Sequence, residues 1–230
     1  MLRGSIEEHY AMLGAYLAQF RIVNRSSLFN IVRDWAHTGS PLVFRRLYIG
    51  FDALRKGFLH GCRLIIGFDG CFLKTFLGGQ LLSAVGKDGN DQMFPIAWAV
   101  VEGENYDSWN WFLGILFDEL CISHGCGWTL VSDQQKGLEY AIKNRVPATK
   151  HRNCVRHVYA NWKKKHVGPA LKSCFWRIIR CTMQSDFNRH LNELAAISTR
   201  HIKTSWLLEC KNFAKPLSAQ ILSVKLLQTI

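Results

Sequence analysis

The sequence predicts an α/β protein with helices flanking a mixed sheet, and two observations carry that prediction. Three short apolar, β-prone runs lie between Leu64 and Val101, followed by a helix-spaced apolar stripe and a fourth run that closes at Asp133. Beyond Lys150 the pattern changes to basic amphipathic segments of helical period.

Element by element, the first strand is read at Leu64–Phe68 and the second at Gln80–Gly86. The turn-forming KDGND (Lys87–Asp91) then leads into a third at Met93–Val101. Pro95 cannot donate to a ladder, so it marks an edge or irregular position. Trp109, Phe112, Leu113, Leu116 and Leu120 fall on one helical face, with Asp107 or Ser108 as the cap. Gly127–Ser132 reads as the fourth strand, Gly137–Asn144 as a helix stopping before Pro147, and Lys150–Val155 as a fifth strand. Two basic helices follow, around Ala170–Cys181 and at Asp186–Ser198, the second with Ser185 as its cap. Upstream, Tyr10, Leu13, Leu17, Phe20, Leu28, Ile31 and Trp35 recur at near-helical spacing over residues 6–38, with breaks near 24–27 and 38–41. Phe44–Cys62 reads as a further helix that Gly61 helps to end. The resulting plan is a helical N-terminal arm over 1–60, a domain over 61–208 and a divergent tail over 209–230. The order β-β-β-α-β-α-β-α is that of an RNase H-like fold of the retroviral-integrase type, in which the first and fourth strands are neighbours.

Composition narrows the classes. At 230 residues and 48% hydrophobic content the chain can bury a full core. Its 8 cysteines show no CxxC and no regular spacing, which argues for reduced thiols and against a secreted disulfide scaffold. No signal segment opens the chain, and no apolar run approaches the ~18 residues of a membrane span. The expectation is a soluble protein of the nucleus or cytoplasm, neither secreted nor membrane-bound. Charge is unevenly placed: residues 1–60 carry 8 Lys/Arg against 4 Asp/Glu, residues 61–133 carry 3 against 9, and residues 134–230 carry 18 against 4. A basic segment of that size is either a set of solvated helix faces or a surface for a polyanion such as double-stranded DNA.

The chemistry-bearing residues sit in the acidic segment. IIGFDGCFLK (Ile65–Lys74) and GWTLVSDQQKGL (Gly127–Leu138) each close an apolar strand on an aspartate, Asp69 and Asp133. A lone Asp there is usually a turn former or a helix cap. Two of them, on strands the fold makes neighbours, repel unless a divalent cation neutralises them, and hard oxygen ligands select Mg²⁺ or Mn²⁺. Such a site activates a water or a 3′-hydroxyl for attack on a phosphodiester.

Four blocks, RLIIGFDGCFLK, GGQLLSAVGKDGNDQMFPIAWAVVEGENYDSWNWFL, GWTLVSDQQKGL and HRNCVRHVYANW, then resemble the Mutator-like (MULE, MuDR-type) transposases of plants in order and approximate spacing. The likeness covers about residues 1–208 and is densest from Phe51 to Ser198. It implies an RNase H-like fold and metal-dependent DNA strand cleavage and transfer through two Asp and one Glu. The family's first and second Asp fall on Asp69 and Asp133, and its Cys-x-x-His element on Cys154 and His157. The family's Asn-Asn-x-x-Glu-Ser-type motif is not among these residues, where WLLECKNFAKPLSAQ stands instead. The resemblance is therefore to a truncated transposase core, expected to be inactive by itself for want of the third acid. The rival expectation is a non-catalytic, domesticated DNA-binding or regulatory module.

Other residues compete for roles. Glu139, Glu193 and Glu209 are weak substitutes for the missing Glu, since charged side chains are mostly solvated. Cys154 and His157 are read first as a structural or active-site-adjacent pair; the lesser alternative is half of a zinc site, with His151, His166, Cys174 and Cys181 as candidates for the rest. Trp98, Trp109 and Trp111 are expected in the core, not as base-stacking platforms. WKKKH (Trp162–His166) suits a nuclear signal, a phosphate contact or a solvated turn equally.

Overall fold

The computed structural model describes residues 5–35, 37, 39, 42–74 and 78–197; the predicted tail at 209–230, with Glu209, lies outside the described residues. The elements are α1 (Ile6–Val23), β1 (Leu28–Trp35), β2 (Leu42–Gly50), α2 (Asp52–Gly61), β3 (Ile65–Phe72), β4 (Gln80–Lys87), β5 (Met93–Val101), α3 (Tyr106–Glu119), β6 (Thr129–Ser132), α4 (Lys136–Arg145), β7 (Lys150–Asn153), α5 (Val155–Trp162), α6 (Pro169–Arg180) and α7 (Gln184–Ile197). The strands form a seven-stranded sheet in the order β1-β2-β5-β4-β3-β6-β7. The architecture is mixed α/β, as expected. The described residues fall into two compact units: those up to Leu130 together with Gln135–Lys150, and Val131–Gln134 together with those from His151 onward.

The first unit corrects the reading of a helical arm. Of the helical span read over residues 6–38 only α1 is helical, opened by a reciprocal capping box in which Ser5 Oγ accepts from the Glu8 N–H and Glu8 Oε2 accepts from the Ser5 N–H. Residues 28–35 and 42–50 are strands paired antiparallel, with a register shift between Val32 and Arg33. Leu28, Ile31 and Trp35 do fall at helical spacing, but Phe29 is the residue that is buried, packing with Leu17 of α1 and Leu47 of β2. Cross-strand pairing overrides a chance period of 3–4 in a run rich in β-branched and aromatic residues. The expected helix over 44–62 is likewise β2 followed by the shorter α2, whose Asp52 is paired with Arg55 and Lys56.

From β3 to α4 the expectations stand closer to the structure. β4 and β5 pair antiparallel, and the ladder shifts where Val85 faces Pro95. β2 pairs with β5 only over Ala97–Val100, so Pro95 lies where β5 has no partner on that side, which is why a missing N–H is tolerated. The α3 stripe is wholly buried: Trp109, Phe112, Leu113, Leu116 and Leu120 join Phe68, Leu82, Ile96 and Ala99 of the sheet in one core with Tyr48 and Phe58. Each of these large side chains contributes about 1.5–3 kcal/mol by leaving water. The cap of α3 is Asn105, not Asp107 or Ser108; its Oδ1 accepts from the Ser108 N–H at 3.0 Å.

In the second unit, α5 and α6 are held by an aromatic cluster in which Phe175 lies 5.0 Å from Tyr159 and 5.2 Å from Trp162, ring centre to ring centre. β7 stops at Asn153, two residues short of the expected strand, because Cys154 becomes the residue that precedes α5. Ser185 lies inside α7 and does not cap it. No described helix is long and apolar enough to cross a membrane.

Candidate functional site

Asp69 is not a strand terminus, which corrects the expectation for the first strand. β3 runs three residues further, to Phe72, because β4 keeps pairing with it as far as Phe72 opposite Gln80. What ends at Asp69 is the burial: Ile65–Phe68 are buried, Asp69 and Gly70 half-buried, and Cys71 and Phe72 exposed. The carboxylate therefore sits at the margin of the buried part of the strand. Asp69 faces Ser83 across the ladder, and Ser83 Oγ donates to the Asp69 carbonyl at 3.1 Å. Its own Oδ1 accepts from the Gly70 N–H at 3.0 Å.

A residue that the motifs did not single out lies beside it. A Cβ built on Gly70 would meet the Glu104 carboxyl carbon at 2.9 Å and both its oxygens at 3.0 Å. The Glu104 carboxylate therefore occupies the space that any other residue after Asp69 would fill. The indole N–H of Trp109, which is fully buried, donates to Glu104 Oε1 at 3.2 Å. The Glu104 carbonyl accepts from the Gln135 amide at 3.0 Å, and Gln135 Oε1 caps α4 by accepting from the Leu138 N–H. One loop residue thus ties β3, α3 and the start of α4 together. The available signal was an acid immediately before a capping Asn, five positions ahead of a core Trp, in GENYDSW.

Asp133 directly follows β6, as expected, and is half-buried. Ser132 before it is buried; its hydroxyl lies 2.7 Å from His151 Nε2 and 2.8 Å from the Asp133 carbonyl. Burial holds the His151 imidazole below its ordinary pKa, so near neutral pH it is uncharged. The Cys154 N–H donates to the Ser132 carbonyl, fastening the start of α5 to the end of β6. Cys154 is buried, and His157 stands in the first turn of α5 with its Nδ1 buried and without a hydrogen-bond partner.

The zinc candidates are not brought together. Cys174 accepts from Arg177 at 3.1 Å, Cys181 donates to the Arg177 carbonyl, and His151 is engaged by Ser132. Among the described residues, no group of three or more His, Cys, Asp or Glu side chains is placed to hold a metal ion. Glu193 is committed to Arg177 and His190, which hold its carboxylate below the usual range, and Glu139 lies in the first turn of α4. Trp109 is core, as expected, while Trp98 and Trp111 are half-buried. An open cavity of ≈ 840 Å³ in the first unit, lined by residues including Tyr10, Ile31, Arg33, Phe44 and Val100, contains neither aspartate.

This is a mixed α/β protein in which Asp69 and Asp133 are half-buried and the Glu104 carboxylate lies against Gly70. Residues 65–161 match the family model of the MULE transposase domain, which supports a MULE-type transposase-derived protein. No curated protein matches the chain. The matched stretch runs from the first residue of β3 into α5 and includes Asp69, Glu104, Asp133, Cys154 and His157.

Proposed function

We propose that the chain is a transposase-derived protein that acts on double-stranded DNA, whose ancestral chemistry is metal-dependent phosphodiester cleavage and transfer and which is inactive by itself for want of the third acid. The match over residues 65–161 carries this reading, because it takes in both strand-associated aspartates. An RNase H-like fold goes with it, supported by β3 and β6 standing next to each other in the strand order. Asp69 and Asp133 are the residues proposed to hold Mg²⁺ or Mn²⁺. Their donor set fits: both are half-buried carboxylates, hard oxygen ligands of the kind these cations select. When bound, the cation supplies Lewis-acid activation of a water or a 3′-hydroxyl. The chain's own contribution is positional. The Gly70 N–H and the β3–β4 ladder orient Asp69, and the Ser132–His151 pair and the start of α5 fix the backbone at Asp133.

A second reading, a DNA-binding module without catalysis, is favoured by the concentration of 18 Lys/Arg against 4 Asp/Glu in residues 134–230. One set of proteins separates the two. Mn²⁺ affinity is titrated by paramagnetic resonance for the wild type, Asp69→Asn and Asp133→Asn, and cleavage of a labelled duplex is compared with Asp69→Ala. The first reading expects each Asn variant to lose at least about tenfold in Mn²⁺ affinity (about 1.4 kcal/mol) and cleavage by the wild type to stay at the Asp69→Ala background. Unchanged Mn²⁺ binding in both Asn variants overturns the metal assignment. Duplex binding without Mn²⁺ binding selects the second reading, and cleavage well above the Asp69→Ala background overturns the expected inactivity.

A further inference from the structure

Two helices of the second unit carry the same arrangement of side chains. On α5 and its C-cap, Arg156, Tyr159 and Lys163 fall at i, i+3 and i+7; on α6, Lys172, Trp176 and Arg180 fall at i, i+4 and i+8. Each set lines one helical face as cation, aromatic ring, cation. The two sets meet through their rings, with the Tyr159 and Trp176 centroids 5.4 Å apart. Lys163 Nζ lies 5.9 Å from the Tyr159 ring centre, and Arg180 Cζ lies 6.0 Å from that of Trp176. Both rings are half-buried and backed by Phe175, which is fully buried, whereas all four cations are exposed.

Of the unit's three described carboxylates, Asp186 pairs with Arg189 at 2.8 Å, Glu193 with Arg177 at 3.1 Å and His190 at 3.0 Å, and Asp133 follows β6. None of Arg156, Lys163, Lys172 and Arg180 forms an ion pair with a described residue. Exposed cations in a row, two of them anchored on aromatic faces, lose less side-chain freedom on meeting an anion than free lysines and arginines do.

We propose that this strip is where the protein contacts the phosphate backbone of double-stranded DNA, an inference that rests on the DNA-acting reading above. The ring geometry favours backbone over bases. Lys163 and Arg180 already cover faces of Tyr159 and Trp176, the surfaces on which a splayed-out base would stack. Backbone contacts position a duplex without reading its sequence, so affinity is steeply salt-dependent and tolerant of sequence.

The test measures binding of a fluorescent duplex to the full chain by anisotropy at several salt concentrations. Lys163→Gln/Arg180→Gln is compared with Arg45→Gln/Arg189→Gln, which removes two cations already paired with Asp34 and Asp186. Losing two phosphate contacts makes the slope of log affinity against log salt shallower by about 1.8, at about 0.9 per contact. The strip variant should show that loss and the paired-cation variant should keep the wild-type slope, with circular dichroism unchanged in both. Equal loss in the two variants, or none in the strip variant, overturns the proposal while leaving DNA binding intact. A wild type that fails to bind at low salt overturns this proposal and the reading beneath it together.

Discussion

Replacing Gly70 by alanine isolates the contact that holds Glu104 beside Asp69. The new methyl would stand 2.9–3.0 Å from all three carboxyl atoms of Glu104, against the 3.4–4 Å of ordinary contact, so the side chain must swing away. That movement takes the acceptor from the buried Trp109 indole N–H, and an unsatisfied buried donor costs about 1–3 kcal/mol. Against this stands a gain of about 0.5–1 kcal/mol, because alanine has less freedom than glycine to lose in a strand. The net expectation is a loss of about 1–2 kcal/mol. Glu104→Ala forfeits the same indole bond and also vacates the space, so in that background Gly70→Ala should become neutral or stabilising. The two substitutions are therefore coupled by about 1–3 kcal/mol. Urea unfolding followed by tryptophan fluorescence reads all four proteins. At slopes of about 1–3 kcal/mol/M the single variant should shift the midpoint by roughly 0.5–1.5 M. Additivity within about 0.5 kcal/mol, or a stabilised Gly70→Ala alone, would refute the account.

Two further outcomes concern other elements. A Cβ on Gly86 would lie 2.4 and 2.6 Å from ring carbons of the buried Phe58, so Gly86→Ala should cost about 1–3 kcal/mol by overpacking and lower the thermal midpoint, with Phe58→Leu in the same chain restoring part of it. His151 has its folded pKa below its ordinary value of 6.5, so the unfolded chain binds the extra proton first. The stability it contributes is present above 6.5 and is lost as pH falls through that value toward the folded one; His151→Asn should flatten this limb of a stability–pH curve.

How much of this was legible depended on whether a residue's pattern had one structural meaning. Trp109, Phe112, Leu113 and Leu116 could form only a helical stripe, and all four are buried. The run around Leu28–Trp35 satisfied a helical spacing and a strand composition at once, and what decided between them was its pairing with Leu42–Gly50, a long-range contact invisible in local pattern. Asp69 was visible because an acid interrupts an apolar run. The strand continuing past it was not, since the continuation depends on where β4 keeps hydrogen bonding. Glu104 escaped because a carboxylate in a polar loop looks solvated until the neighbouring Gly70 is seen to leave room for it.

The hairpin of β1 and β2 has a consequence for anyone dividing this chain. The family match begins at residue 65, yet β5 inside it bonds along Ala97–Val100 to β2 outside it, and Tyr48 and Phe58 from the preceding segment complete the same core. A fragment cut at the match would bare a row of unpaired backbone donors and acceptors on β5 and leave holes where two large rings had been, the combination that invites sheets to join edge to edge. The unit of inheritance recognisable by its motifs is smaller than the unit that can stand in water. An expression fragment should therefore begin ahead of Leu28, and a fragment starting at Ile65 should come out of the cell as aggregate.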